Sequence, residues 1–415
     1  MDAPKINIKF IDAAKETITR ANRGTVALLV ADAAPEGVSN PFNVVTVSDI
    51  PNEISDSTKE QIKMALKGYE GITPAKIIVY CMNQPYCYTI EELLEMSAAD
   101  LWKLAEKEGY EMRVDKEAGA DVVANEILYW QTEKSPEALT KALGVFETIR
   151  FTYMAIPNIA TSGMQKQVAD WIIKQRETNK VKVVLPNHEG DNEGIINYGN
   201  NKNVVAETTV VNGEEIITEI EYTAEQFCAR IAGLLAATPS SYSATYAPLS
   251  DVVDCSKIAD RDQAADKGRF ILFNDGEKIK TSRAVNSLQK TTDTKGDAFK
   301  KIRIVEIMDL ICNDIRKLTE DEYLGKYPNV YDNKCILISA IDEYLNELER
   351  GNMLSSHTVE IDVDAQREYL KSKGKDVTKM TEEEITKATT GSKVFITGTV
   401  AIVDTIEDLD WNIYM

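Results

Sequence analysis

Histidine is nearly missing from this chain. Two occur in 415 residues, His188 and His357, and any mechanism with a histidine base must use one of them. His188 lies in a polar, acidic stretch (PNHEGDNEG), and His357 sits at the start of a strand-like run. No GxSxG nucleophile elbow accompanies either. Glycine-rich phosphate cradles are missing too: there is no Walker A segment, and no GxGxxG follows a strand. Cysteine is sparse. Cys81, Cys87, Cys228, Cys255, Cys312 and Cys335 form no CxxC, which excludes a disulfide framework and leaves no ligand set for zinc. Reduced thiols and folding in a reducing cytoplasm are expected. No run reaches the roughly 18 apolar residues of a membrane span, and the N-terminus MDAPKINIKF lacks the basic-then-apolar order of a secretory leader.

Positive charge is also in deficit. Lys and Arg number 47 against 67 Asp and Glu, for a net charge of −20. Such a surface repels phosphate backbones and anionic lipid, so neither nucleic acid nor membrane is expected as a partner. The acidic loop 187–194 places Asn187, Glu189, Asp191 and Glu193 at alternate positions. Asn192 stands where a calcium loop needs glycine, and Tyr198 where it needs glutamate. A solvated turn is the reading, with no metal and no cofactor.

What is present is ordinary globular material: 43% hydrophobic and 27% charged residues. At roughly 150 residues per domain, the length allows two to four domains. Buried strands are expected at 25–32, 42–49 and 76–82, with a helix at 57–68 that Ser57 could cap. Helices follow at 90–108 and at 136–144, where Pro136 suits a first helical position. A strand at 145–155, a helix at 161–178, strands at 180–186 and 195–198, β-rich chain at 204–221 and a helix at 223–238 capped by Thr223 complete an alternating α/β middle. A hairpin at 269–281 turns on Asn274, Asp275 and Gly276. Helices at 297–318 and 335–350, a strand at 357–363, polar helices at 364–373 and 381–389, and a strand at 393–403 end the ordered pattern.

Both chain ends alternate like strands. Ile6, Ile8 and Phe10 share one face of Lys5–Phe10; Leu409, Trp411, Ile413 and Met415 share one face of Asp408–Met415. A terminal strand needs a sheet, either its own subunit's or a neighbour's, and the pattern does not choose. One basic cluster, Lys295, Lys300, Lys301 and Arg303, sits where a helix begins, against the helix dipole. It is either a docking face for an acidic partner or a solvated polar face.

The segment RFILFNDGEKIKTSRAVNSLQKTTDTKGDAFKKIRIVEIMDLICNDI resembles the hallmark region of contractile phage tail sheath proteins. The residues that carry the resemblance are Leu272, Asn274, Asp275, Gly276, Arg283, Val285, Asn286, Ser287 and Leu288. Ala284 stands where that family often has glycine. Further stretches are ARIAGLLAATPSSYSATY (229–246), YPNVYDNKCILISAIDEYLNELE (327–349), VEIDVDAQ (359–366) and GSKVFITGTVAIVDTIEDLDWNI (391–413). The likeness is clearest from about residue 145 onward, and is nearest to sheaths of Gram-positive defective prophages and R-type bacteriocins.

The resemblance implies a multidomain α/β and α+β fold with a subtilisin-like, non-catalytic α/β domain. It also implies a C-terminal α+β domain whose sheet is completed by the terminal arms of neighbouring subunits. The corresponding division is an arm at 1–23, a small β-rich domain at 24–95, the sheath domain at 96–290, the C-terminal domain at 291–403 and an arm at 404–415. It implies stacked hexameric rings around an inner tail tube protein, with baseplate and tail terminator proteins as further partners. Contraction would drive the tube through a bacterial envelope without ATP. Assembly would take place in the bacterial host cytoplasm, and the released product would be a virion or bacteriocin tail sheath. Lys295, Lys300, Lys301 and Arg303 become candidate tube contacts. The competing readings are another tail or baseplate structural protein and an α/β hydrolase, the latter lacking a base.

Overall fold

The computed structural model describes residues 24–82, 90–107, 112–157, 162–211 and 214–414, with Tyr88, Tyr110 and Ile159. The expected N-terminal strand with Ile6, Ile8 and Phe10, together with Met415, lies outside them. The described residues divide into two compact units, one built from residues 311–401, the other from 24–310 together with 402–414.

The larger, α/β unit is built on strands β1 (Thr25–Val30), β2 (Phe42–Val44), β3 (Lys76–Cys81), β4 (Tyr153–Ala155), β5 (Lys182–Pro186) and β6 (Ile195–Tyr198). Farther along come β7 (Lys202–Val211), β8 (Glu214–Thr223), β9 (Val252–Cys255), β10 (Arg269–Phe270), β11 (Leu272–Asn274) and β12 (Ile279–Thr281). Seven of them form one sheet in the order β10-β6-β5-β4-β1-β3-β2. Every pairing in it is parallel except β2 with β3. A parallel sheet is covered on both faces, so its central strands read as unbroken apolar runs. All six residues of β1 are buried. Val26, Leu28 and Val30 join the core on one face, and Ala27 and Leu29 the core on the other. Each fully buried leucine contributes about 1.5–3 kcal/mol.

The helices of this unit are α1 (Asp56–Leu66), α2 (Ile90–Leu94), α3 (Ala98–Lys107), α4 (Ala120–Phe146), α5 (Ser162–Gln175), α6 (Ala224–Ala237) and α7 (Arg261–Asp266), with the N-terminal half of α8 (Ile302–Leu318). On one face of the sheet lie α1 and α6; the other face takes the end of α4 and α5. Almost all of α6 is buried. It lies so close to α1 that a Cβ on Gly233 would overlap the carbonyl of Ala65. Antiparallel β7, β8 and β9 form a separate three-stranded sheet.

Several sequence expectations give way here. Residues 24–81, expected as part of a separate small β-rich domain, instead supply three strands of the seven-stranded sheet. What stands apart is α2, α3 and the first half of α4. These close a satellite core of Leu93, Leu101, Ala105, Val123, Ala124 and Ile127. The strand expected at 42–49 stops at Val44, because Asp49 accepts from the backbone N–H of Val45 (3.0 Å) and Thr46 (2.7 Å) and curls the chain into a 3-10 turn. Ser55, not Ser57, caps α1, accepting from the Thr58 N–H. Pro136 lies inside the 27-residue α4 and does not start a helix. Interior proline costs about 3 kcal/mol, offset here by burial on both sides, in the satellite core and at Leu139, Ala142, Leu143 and Phe146. That helix also takes the first part of the 145–155 stretch, leaving only Tyr153–Ala155 as strand.

The C-terminal unit contains the second half of α8, then α9 (Tyr331–Arg350), β13 (Leu354–Ile361), α10 (Val363–Ser372), α11 (Glu382–Lys387) and β14 (Ile396–Ile402). Buried Lys334 of α9 donates to Gln366 (3.2 Å), Thr390 (3.2 Å) and the carbonyl of Ala388 (3.3 Å), tying α9 to α10 and to the chain before β14. Among the described residues no helix is long and apolar enough to cross a membrane.

Candidate inter-subunit interface

Within the C-terminal unit, β13 and β14 form a sheet of two strands. Ser355 contacts Ala401, Thr358 contacts Thr399, and the Asp362 N–H donates to Phe395, so the strands run antiparallel. Two-stranded sheets are marginal alone; here α9 packs against β13. His357 of β13 lies between two carboxylates of that helix, Glu349 (2.6 Å) and Asp342 (3.1 Å). Burial by itself would depress its pKa, but the two carboxylates outweigh it and hold the imidazole above its ordinary value.

β14 has no such cover. Its five central residues are exposed, Val400 among them. A cavity of about 920 Å³ opens inside the unit, lined by Ile315, Leu337, Ile341, Val359, Ile396 and Val400 among others. An apolar space of this size beside an uncovered strand is not what an isolated small core tolerates.

After β14 the chain joins the α/β unit as an irregular tail. The strand expected at Asp408–Met415 pairs with nothing among the described residues. Leu409, Trp411 and Ile413 are 81%, 76% and 69% exposed. The preceding residues are held by polar contacts. Arg303 donates to the Val403 carbonyl. Lys301 reaches Asp404 (2.5 Å) and Glu407 (3.1 Å). The hydroxyls of Ser243 (3.1 Å) and Thr245 (2.7 Å) donate to the other oxygen of Glu407, and Arg283 pairs with Asp408 at 2.5 Å. Burial opposes the charge on Lys301, yet the two carboxylates win and raise its pKa.

The basic cluster is thus occupied within its own chain. Lys295 pairs with Glu193 (2.9 Å), Lys300 with Asp297 (2.8 Å), Lys301 and Arg303 with the tail, and Arg303 is buried. The hallmark residues are stitching. Asp275 accepts the N–H groups of Glu277 and Lys278 in the hairpin turn, where Gly276 has φ +102. Asn286 donates to Phe299 (2.7 Å), and Ser287 donates to the Asn192 carbonyl (2.9 Å). In the acidic loop, Asp191 accepts from the N–H groups of Gln289 and Lys290, and Glu193 serves Lys295. Among the described residues no cluster of His, Cys, Asp or Glu could hold a metal ion. The pattern of Arg283, Ser243, Thr245, Asp404 and Glu407 was not read from sequence. Its one visible signal is an acidic stretch, DTIEDLD, opposite the basic KKIR.

Residues 132–287 match the family model for the phage tail sheath protein central domain, and residues 294–415 the model for the phage tail sheath C-terminal domain. A tail sheath protein of Clostridium phage phiCD119 is 32% identical, the match covering 99% of this chain and 98% of that one. Among solved structures, the sheath tail protein from Desulfitobacterium hafniense is similar with a TM-score of 0.58 at 18% identity, covering 87% of this chain and 94% of that one. The helical sheath of the anti-feeding prophage in its contracted state is similar with a TM-score of 0.57 at 13% identity, covering 100% and 99%.

Proposed function

This chain belongs to the phage tail sheath protein family, a family of structural proteins and not of enzymes, and from that premise we propose how it assembles and works. It is the sheath subunit of a contractile tail. It polymerises as stacked hexameric rings around an inner tube, and contraction of the polymer drives that tube through a bacterial envelope. The α/β unit is the non-catalytic, subtilisin-like domain. Baseplate and terminator proteins close the two ends, and assembly takes place in the host cytoplasm. Of the helix-start cations, Lys295 and Lys300 keep partly exposed side chains and serve as the tube-facing candidates.

The observation that carries the reading is the uncovered β14 with its apolar cavity. Strands donated by neighbours, Leu409, Trp411, Ile413 and Met415 from one and Ile6, Ile8 and Phe10 from another, complete that sheet by augmentation. Such donor–acceptor contacts are heterologous and build rings or helices.

The test is negative-stain electron microscopy of the purified chain beside a variant lacking residues 409–415. The full chain, alone or co-expressed with a tube protein, is expected to give striated cylinders with six-fold end views. The variant should stay folded and monomeric. A variant that polymerises like the full chain overturns the arm assignment, and a full chain that stays monomeric even with the tube overturns the assembly.

A further inference from the structure

We propose that Glu407 and its receptor, Lys301, Ser243 and Thr245, form a clamp that sets the register of the C-terminal linking strand on the subunit that donates it. The inference rests on the reading of 409–415 as that strand. The Glu407 side chain is 7% exposed, and a buried carboxylate persists only where its charge is met. Here one oxygen takes two hydroxyl donors and the other a lysine. The receptor is built in advance. The Thr245 N–H fixes the Ser243 hydroxyl oxygen at 3.1 Å, and the Ala284 N–H fixes that of Thr245 at 3.0 Å.

Arg303 and Lys301 also hold Val403 and Asp404, but four and three residues farther from the strand than Glu407; nearer to it, the other contact is weaker. Arg283 and Asp408 pair in the open, with side chains 40% and 77% exposed, and such pairs contribute little. Apolar packing does not hold the segment either: Ile406 and Leu409, on either side of the clamp, are 94% and 81% exposed. Glu407 is therefore the fixed point, two residues before Leu409.

Side chains of a strand alternate between faces, so a slip of one residue would turn Leu409, Trp411 and Ile413 away from an acceptor sheet. A point fixed two residues upstream removes that freedom. It also determines where tension on the strand enters the donor: at Glu407, on the α/β unit, before it reaches β14.

The experiment compares the full chain with Glu407→Ala, Lys301→Glu, the exchanged pair Lys301→Glu/Glu407→Lys, and the 409–415 deletion. Sedimentation and electron microscopy give the concentration at which each polymerises. Both single variants are expected to raise it by about tenfold or more, and the exchanged pair to recover part of the loss. Single variants that polymerise at the unmodified concentration overturn the clamp. If the deletion polymerises normally, the arm reading falls instead, so the two failures separate. A second measurement needs no polymer. A glutamate-specific protease should cut after Glu407 at least about ten times faster in monomeric Lys301→Ala than in the unmodified chain, and an equal rate overturns the clamp.

Discussion

Arg176 of α5 and Asp309 of α8 meet as a two-pronged pair. Nη1 lies 3.0 Å from Oδ2 and Nη2 3.0 Å from Oδ1, with each side chain 8% exposed. Lys182 of β5, 1% exposed, adds contacts to Asp309 at 2.7 Å and Glu306 at 3.0 Å, and Tyr153 of β4 donates to Glu306. Removing one partner of a buried pair strands the other, at about 3–5 kcal/mol. Asp309→Asn and Lys182→Met are each expected to lower unfolding stability by that order, read from urea denaturation.

The two histidines should titrate on opposite sides of the ordinary value. Burial depresses His188, while Glu349 and Asp342 outweigh burial and raise His357. Proton NMR of the monomer, with His188→Gln for assignment, is expected to show His188 below 6.5 and His357 above it. Because the His357 pKa rises on folding, its stabilisation is complete below about pH 6.5 and is lost as pH climbs through the folded value. Glu193 runs the other way. Burial would raise it, but Lys295 and Arg176 hold it below 4.5. Its contribution is present above 4.5 and disappears as pH falls through the depressed value.

Gly233 is where α6 touches α1. Gly233→Ala places a methyl against the Ala65 carbonyl, which is backbone and cannot turn aside. Overpacking of this kind costs about 1–3 kcal/mol, although alanine favours the helix itself by nearly 1 kcal/mol. Net destabilisation is expected in urea, and an unchanged midpoint would mean that the helices part freely.

Trp411 is 76% exposed in the single chain. In the polymer its emission should shift to the blue and acrylamide should quench it less, with both changes lost in Trp411→Phe. If the proposed linking role makes it a central aromatic anchor worth about 2 kcal/mol, its replacement by alanine should raise the polymerising concentration roughly thirtyfold.

The apolar runs make the sheet legible in the sequence. TVALLV and KIIVYC read as buried strands, and Thr223 marks the start of α6 correctly. Grouping the strands was not legible. Nothing local in Thr25–Val30 says that its neighbour on one side is Tyr153–Ala155, far along the chain, so residues 24–95 read as a domain of their own. Pro136 misled because local preference marks a helix start and cannot register the two cores that carry α4 through it. The basic cluster is legible in the sequence, but the carboxylate partners of Lys295 and Lys301 lie some hundred residues away, beyond the reach of any periodicity.

One consequence of the uncovered β14 concerns length. On the reading proposed above, the subunit offers an acceptor strand in β14 and a donor in its exposed tail, and joining one neighbour occupies only one of the two. Each added copy presents the same two features again, so growth has no internal end point. On that reading the length of the polymer is dictated from outside, by a template or a stop.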